Sequence, residues 1–426
     1  MTTVDSSTTT AGPRRGPLTA LLGGSRTRRI VLLLIGVFVL ISAVRVISGE
    51  QELTSSQTFS AALLLAVPIA LAALGGLFSE RAGVVNIGLE GMMILGTWGA
   101  GWAGYQWGWG GAVIGGVVFG LAGGLLHAIA TVTFGVDHVV SGVAINILAA
   151  GIVRFLSELF FIDNPAGGGA AQSPRLSSRP PEFSLPVLSS GPDLLGKVEA
   201  QHWFLISDLA GLLRGLTSGV GVLTVVAVLM IPGAYLLLWR TAFGLRLRSC
   251  GENPAAADSL GVPVYRMKYV AVLISGALAG LGGVFLVFVA NIYREAQCGG
   301  RGFNGLAALI FGNWRPGGLA AGAGLFGYAD GLQLRSRTAV VALLLLVAVL
   351  LAALAVYQGM KRRFLQAVIA AVFAAAALVG FIVIDELPPG IVFFTPHLTT
   401  LLVLSLASQR LRPPKADGLV YRRGEN

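Results

Sequence analysis

Glu80, Arg81, Asn86 and Glu90 fall within fifteen residues, SERAGVVNIGLEGMM from Ser79 to Met93, at the mouth of and inside an apolar stretch. A carboxylate within a bilayer costs about 2.5 to 3.5 kcal/mol on insertion scales unless it is paired or faces a cavity. Glu90 therefore has two readings. It lines a polar path, or it ties down a broken helix end whose backbone groups are freed at Gly83, Gly88 and Gly91. Asn86, and Asn146 on a later apolar stretch, are hydrogen-bonding groups suited to a polar, uncharged solute. Phe303, Phe311, Trp314 and Phe326 offer faces on which a flat ring could stack, or equally pack as core or against lipid. The candidate path thus comprises Asn86, Glu90, Asn146, Phe303, Asn304 and Trp314.

Other chemistry is weaker. Arg154 and Glu158 lie four apart on one helix face and are expected to neutralise each other. His127, His138, His202 and His397 have no metal-ligand spacing, and no metal site is expected; Asp137 suits a helix cap. GPDLLGKV, residues 191–198, imitates a phosphate-binding loop, but Val198 stands where Ser or Thr is needed and no strand precedes it. No catalytic residue is assigned. CGENPAAADSLGV, residues 250–262, reads as a short helix capped by Asn253, with Pro254 at its first position and Gly261 at its end. Such a helix is a knob for a groove on another subunit, or an ordinary loop.

The elements that hold these residues follow from composition. The 426 residues are 55% hydrophobic and only 12% charged, with a mean hydropathy of +0.78. Soluble domains carry about 25% charge, so an all-α, polytopic integral membrane protein is expected. The 59 glycines fit closely approaching membrane helices. Apolar runs of spanning length occur near 30–48, 59–78, 84–104, 111–132, 141–162, 219–239, 269–290, 339–357, 364–384 and 396–409, about ten helices. Between them, 303–333 is broken at NWRP and predicts two short helices meeting at a turn, a re-entrant element.

A net charge of +10 would suit nucleic acid, but the basic residues cluster at the ends of apolar runs instead of along one polar face. If the broken element enters and leaves on one side, nineteen of the 30 basic residues share the side of both termini, which the positive-inside rule makes cytosolic. Residues 1–29 then form a disordered cytosolic tail, 30–409 the membrane domain, and 410–426 a second cytosolic tail. Residues 163–218 form an outer loop, either a landing surface or a passive linker, and 240–268 an inner loop. Cys250 and Cys298 fall on opposite sides, which excludes a disulfide between them.

Six segments in fixed order, SERAGVVNIGLEGMM, DHVVSGVAINILA, CGENPAAADSLGV, SGALAGLGG, RGFNGLAALIFGNWRPGG and RLRPPKADGLVYRRGE, carry a family resemblance. The chain resembles the permeases of bacterial ABC importers for branched-chain amino acids and simple sugars. Within them it is most similar to nucleoside-importer permeases that work with lipoprotein receptors. The resemblance covers roughly 59–335 and 394–425. It implies that Gly251, Glu252, Asn253, Ala256, Ala257, Asp258 and Gly261 dock on a partner ATPase, which would bind ATP and Mg while this chain holds no cofactor. It further implies a second homologous permease chain, an extracellular substrate-binding lipoprotein, and a bacterial cell membrane location. Residues 338–389 are expected to be two helices added to the family core. The alternatives are a sugar or branched-chain amino acid as cargo and, from another class, a proton-coupled secondary transporter.

Overall fold

The computed structural model describes residues 26–189, 191–384 and 411–424. The expected spans meet as helices α1 (Arg26–Ser48), α2 (Ser56–Arg81), α3 (Leu89–Ala128), α4 (His138–Phe160), α7 (Val222–Arg240), α10 (Val264–Ala290), α13 (Arg337–Met360) and α14 (Phe364–Val383). Shorter helices α5 (Leu194–Glu199), α6 (Ile206–Gly215), α8 (Ala242–Glu252), α9 (Pro254–Ser259) and α11 (Arg301–Phe311) join them, with α12 (Pro316–Arg335) following α11. Strand is confined, among the described residues, to a two-residue antiparallel pair, Glu182–Phe183 with Val220–Gly221.

Among the described residues seven helices are long and apolar enough to cross a bilayer. The chain is therefore a multi-pass membrane protein. The seven do not reproduce the expected ten one for one. The runs at 84–104 and 111–132 form the single element α3, which folds back on itself at Gly108, where φ is +73°. A β-carbon on Gly99 would lie 2.5 Å from the Gly115 carbonyl oxygen, so the two limbs pack antiparallel. The stretch 396–409 lies outside the described residues.

The core is a seam of small residues between α3 and α10. β-Carbons built on Gly276 and Gly280 would sit 2.4 and 2.3 Å from the carbonyl oxygens of Gly120 and Gly116. Hydrogen-only side chains let these backbones touch, and without a hydrophobic drive between helices in lipid such close packing supplies the attraction.

The broken element is present, with one adjustment. α11 has 11 residues and reaches only about 16 Å, whereas α12 has 20 and reaches about 30 Å, a full span. They pack antiparallel across the turn Gly312–Arg315, with Gly322 against Ala308. The missing half of α11 is replaced by a coil, 291–300, descending from the end of α10.

At the end of the bundle opposite the basic loop, residues 163–221 fold over the start of α2. α6 is amphipathic in the inverted sense. Ser207, Asp208, Gly211 and Gly215 face the protein, and Ile206, Leu209 and Leu213 face outward. The Asp208 carboxylate forms an ion pair with Arg45, Nε at 2.8 Å, and accepts from the Thr54 hydroxyl at 2.5 Å, which fixes the loop on α1 and α2. α13 and α14 pair with each other and reach the rest through α1 and α12, at the rim.

Candidate functional site

The signature segment is a non-helical rung that climbs through the bundle. α2 ends at Arg81, and 82–88 rises beside α10 before α3 begins at Leu89. Gly83 carbonyl accepts from Lys268 Nζ at 3.4 Å, and seven residues along α10 Asn86 Nδ2 donates to Ser275 Oγ at 2.8 Å. Seven residues of helix rise about 10 Å, so α3 starts in the middle of the bundle. Polar side chains from each neighbour hold the exposed backbone, as an irregular segment in lipid requires. His138 Nδ1 accepts from Val85 N–H at 3.3 Å, and His127 Nε2 lies 3.0 Å from Val85 carbonyl with its Nδ1 2.9 Å from Ser141 Oγ. Asn146 takes Gly91 N–H on Oδ1 at 2.7 Å and gives Nδ2–H to Ile87 carbonyl at 3.1 Å.

The two acids of the segment hold the two ends of the half-helix α11. Glu90, buried in the first turn of α3, accepts Gly300 N–H on Oε1 at 2.9 Å and Gly302 N–H on Oε2 at 2.6 Å. Those are orphan donors of a helix N-terminus, where a carboxylate also meets the positive end of the dipole. At the other end, Glu80 Oε2 accepts Trp314 Nε1–H at 2.5 Å, while Arg81 Nη2 donates to Trp314 carbonyl at 2.7 Å. Trp314 carries a positive φ of +52°, a conformation an L-residue keeps only when its surroundings over-determine it. Arg301 of α11 pairs with Asp330 of α12 at 3.2 Å.

Beside Glu90 lies a cavity of about 280 Å³, lined by Ile94, Val153, Glu295, Cys298 and Gly300. That is close to the lower end of ligand clefts. Its rim is tied across by Arg154, which pairs with Glu158 at 2.8 Å as expected and also with Glu295 of the descending coil at 2.8 Å.

Of the six candidate path residues, the structure brings only Glu90 to this cavity. Asn86 is wholly buried and Asn146 is engaged at both ends, so each is placed as a clamp on the rung. Trp314 sits at the opposite end of α11, in the Glu80–Arg81 cluster. Phe303 is half-exposed and Asn304 partly so, on α11. Phe326 is fully buried against Phe311, ring centroids 5.8 Å apart, so those two aromatics are core. Glu295 and the Glu80–Trp314 pairing escaped sequence reasoning, because nothing in the spacing says that Trp314 lies beside a residue 234 positions earlier.

The basic inner loop forms the expected capped helix. Asn253 Oδ1 accepts Ala256 N–H at 3.0 Å, Pro254 opens α9, and Gly261 follows it at φ +81°. Gly251 and Ala257 point inward, whereas Glu252, Asn253, Ala256 and above all Leu260, 86% exposed, point out; Asp258 is half-buried. Leu260 escaped notice because a single Leu is unremarkable until its exposure is known. GPDLLGKV forms no phosphate cradle: Asp193 caps α5 through Gly196 N–H and pairs with Arg214 at 2.6 Å. Both cysteines are free and buried, and among the described residues no cluster of three or more His, Cys, Asp or Glu could hold a metal ion.

Residues 58–354 match the branched-chain amino acid transport system / permease component family. The chain belongs to that permease family. It is a transport family, not one of enzymes. The chain is 37% identical over 290 residues to the guanosine ABC transporter permease protein NupQ of Bacillus subtilis (strain 168), covering 64% of this chain and 81% of the relative. It is 32% identical over 370 residues to the nucleoside ABC transporter permease protein NupC of Lactococcus lactis subsp. cremoris (strain MG1363), covering 84% and 94%. It is also 32% identical to the putative glucose ABC transporter permease protein TsgC13 of Haloferax volcanii, covering 67% and 81%. No solved structure matches it. The matched segment runs through residue 354 and so takes in most of α13, the first of the two helices expected to lie outside the family core.

Proposed function

We propose that this permease is one half of the pore of an ATP-driven importer for nucleosides. The observation that carries the cargo is the 32% identity with the nucleoside permease NupC along 94% of that protein's length, supported by the guanosine permease NupQ. On this reading the basic end is cytosolic, both termini lie there, and the membrane is the bacterial cell membrane. About ten spans are completed by α1, by the second limb of α3 and by α12. A second homologous permease closes the pore, an external lipoprotein delivers solute, and a partner ATPase holds ATP and Mg.

The physics of the site supports alternating access. α3 and α11 both begin within the bundle, and helix N-termini at mid-membrane with a cavity beside them are the recurrent material of transport sites. Glu90 joins the two N-termini. A shift of α9 at the basic end reaches the turn at Trp314 through Arg81, and α11 passes it to Glu90 and the cavity wall.

The decisive experiment is reconstitution of the chain with its genetically neighbouring ATPase, permease and lipoprotein in vesicles. Guanosine and adenosine uptake dependent on ATP is expected, with glucose and leucine failing to compete. Preferential glucose uptake would replace the cargo, a reading the glucose permease TsgC13 favours. Uptake driven by a proton gradient, with no ATPase copurifying, would overturn the class. A cysteine at Ala256 should crosslink to the ATPase, and Leu260→Asp should weaken its copurification at least tenfold.

A further inference from the structure

Residues 411–424 lie across the whole basic end of the bundle, and no element of the proposed transport cycle uses them. At one end Arg412 N–H donates to Asn313 Oδ1, in the α11–α12 turn, at 2.9 Å. In the middle Ala416 N–H donates to Gly251 carbonyl of α8 at 2.8 Å, the Ala416 carbonyl packs against Gly83, and Pro414 is buried. At the far end Tyr421 packs at a tilt against Tyr265 of α10, ring centroids 5.6 Å apart, and joins the small core of Cys250, Ala257 and Val264. Arg423 Nε pairs with Asp258 of α9 at 3.1 Å.

The strap therefore touches α9, the end of α8, the climbing rung and the turn after α11. Its central fastener is Asp417, whose buried carboxyl faces that of Glu80 across a gap that a shared-proton hydrogen bond would close. Two carboxyl groups can share such a bond only if one of them carries a proton, so the pair is a neutral-to-anionic clasp and not two repelling anions. Glu80 Oε1 and Asp417 Oδ1 are both buried and receive no hydrogen bond from the described residues. Glu80 is the same group that holds Trp314, so the strap fastens directly onto the group that fixes the half-helix.

We infer that residues 411–424 act as a coupling strap that makes the α8–α9 hairpin and the α11–α12 turn move as one body, with Asp417 the positioning residue that clasps Glu80. This rests on the importer reading of the preceding section. Besides the packing of Leu247 of α8 in the apolar cluster around Trp314, the hairpin's link to the turn without the strap is through Arg81, whose contact with Glu252 is a long 3.9 Å pair between partly exposed groups. Such a pair transmits little force.

The test uses the full complex in vesicles and measures nucleoside taken up per ATP hydrolysed, beside the thermal midpoint of the purified complex. A chain ending at residue 410, and Asp417→Ala in the full chain, should keep the ATPase bound and hydrolysing within about twofold while uptake per ATP falls at least tenfold. Asp417→Asn, whose amide N–H can donate to Glu80 as the acid proton does, should restore uptake per ATP to within about twofold. A disulfide between Asn313→Cys and Arg412→Cys, with the buried Cys250 and Cys298 left in place, should leave ATP turnover the same oxidised as reduced, because that contact persists through the cycle. Wild-type uptake per ATP in the shortened chain would overturn the inference, as would arrest by the disulfide. So would loss of ATPase binding and midpoint in proportion to uptake, which a merely structural tail produces. If the unaltered chain neither binds an ATPase nor takes up nucleoside, the importer reading fails instead.

Discussion

Both oxygens of Glu90 are occupied by backbone donors of α11, yet the side chain also forms part of a cavity wall. Glu90→Gln keeps the shape and one acceptor but sets an N–H donor against Gly302 or Gly300 N–H. Leaving a buried donor unsatisfied costs about 1 to 3 kcal/mol, so the midpoint of thermal unfolding should drop together with uptake. A variant with full stability and full uptake would remove Glu90 from both roles. Asp417 carries the opposite signature. Burial first, and then the Glu80 carboxylate, raise its acid from 3.8 to about 9. The facing groups are Glu80 and Arg81 from α2, Lys268 from α10 and Glu252 of α8, which is engaged with Arg81. A raised acid holds its proton when docked and loses it when free, so strap docking is tightest below about pH 4 and weakens progressively toward pH 9. Limited proteolysis of 411–424 should accelerate between pH 6 and 8.5 in the unaltered chain. In Asp417→Asn the rate should be flat over the same interval.

At the scale of elements, the seam between α3 and α10 tolerates nothing beyond hydrogen at its closest points. Gly280→Ala places a methyl 2.3 Å from the Gly116 carbonyl oxygen, which forces the helices apart, and overpacking of this kind costs about 1 to 3 kcal/mol. The thermal midpoint should fall in Gly280→Ala and stay unchanged in Gly324→Ala, where no atom lies within 4 Å of the new methyl. How much of this was legible beforehand depended on range. Local patterns were readable: Asp137 caps α4, Asn253 caps α9, and NWRP breaks the half-helix from α12, because each depends on residues a turn away. The hairpin at Gly108 was readable only as two runs, since a Gly-rich stretch does not announce which glycine takes a positive φ. The clamps on the rung were not readable at all. Asn86 and Asn146 have the same composition signal whether they face solute or backbone, and only the neighbouring helices decide.

Across the whole molecule, the permease core and its periphery separate by burial. α2 and α10 are mostly enclosed, whereas α14 presents nearly all of its surface outward and α13 reaches the core, among the described residues, through α1, α12 and the turn Gln51–Thr54. None of the residues lining the cavity belongs to α13 or α14. Replacing the outward-facing Val372, Phe373 and Val379 of α14 with leucine, which keeps the sidedness of 411–424, should therefore leave ATP-dependent uptake by the reconstituted complex within about threefold of the full chain. A loss of all uptake with normal assembly would place that helix in the transport path or at the seat of the second permease. The orientation signal behaves differently, because it is a sum over many loops and not a contact.

The climbing rung has one further consequence, for how its backbone protons exchange with heavy water. Irregular segments ordinarily exchange fast, since their amides meet solvent through small local openings. Here Ala82 and Val84 donate to Ser79 carbonyl, Gly83 to Glu80 carbonyl and Val85 to the His138 ring. Each partner belongs to a different neighbour or to the helix just ended, so no single fluctuation frees them. Deuterium uptake at 82–85 should be among the slowest in the protein, slower than at the ends of α13 and α14, although the segment has no regular structure of its own.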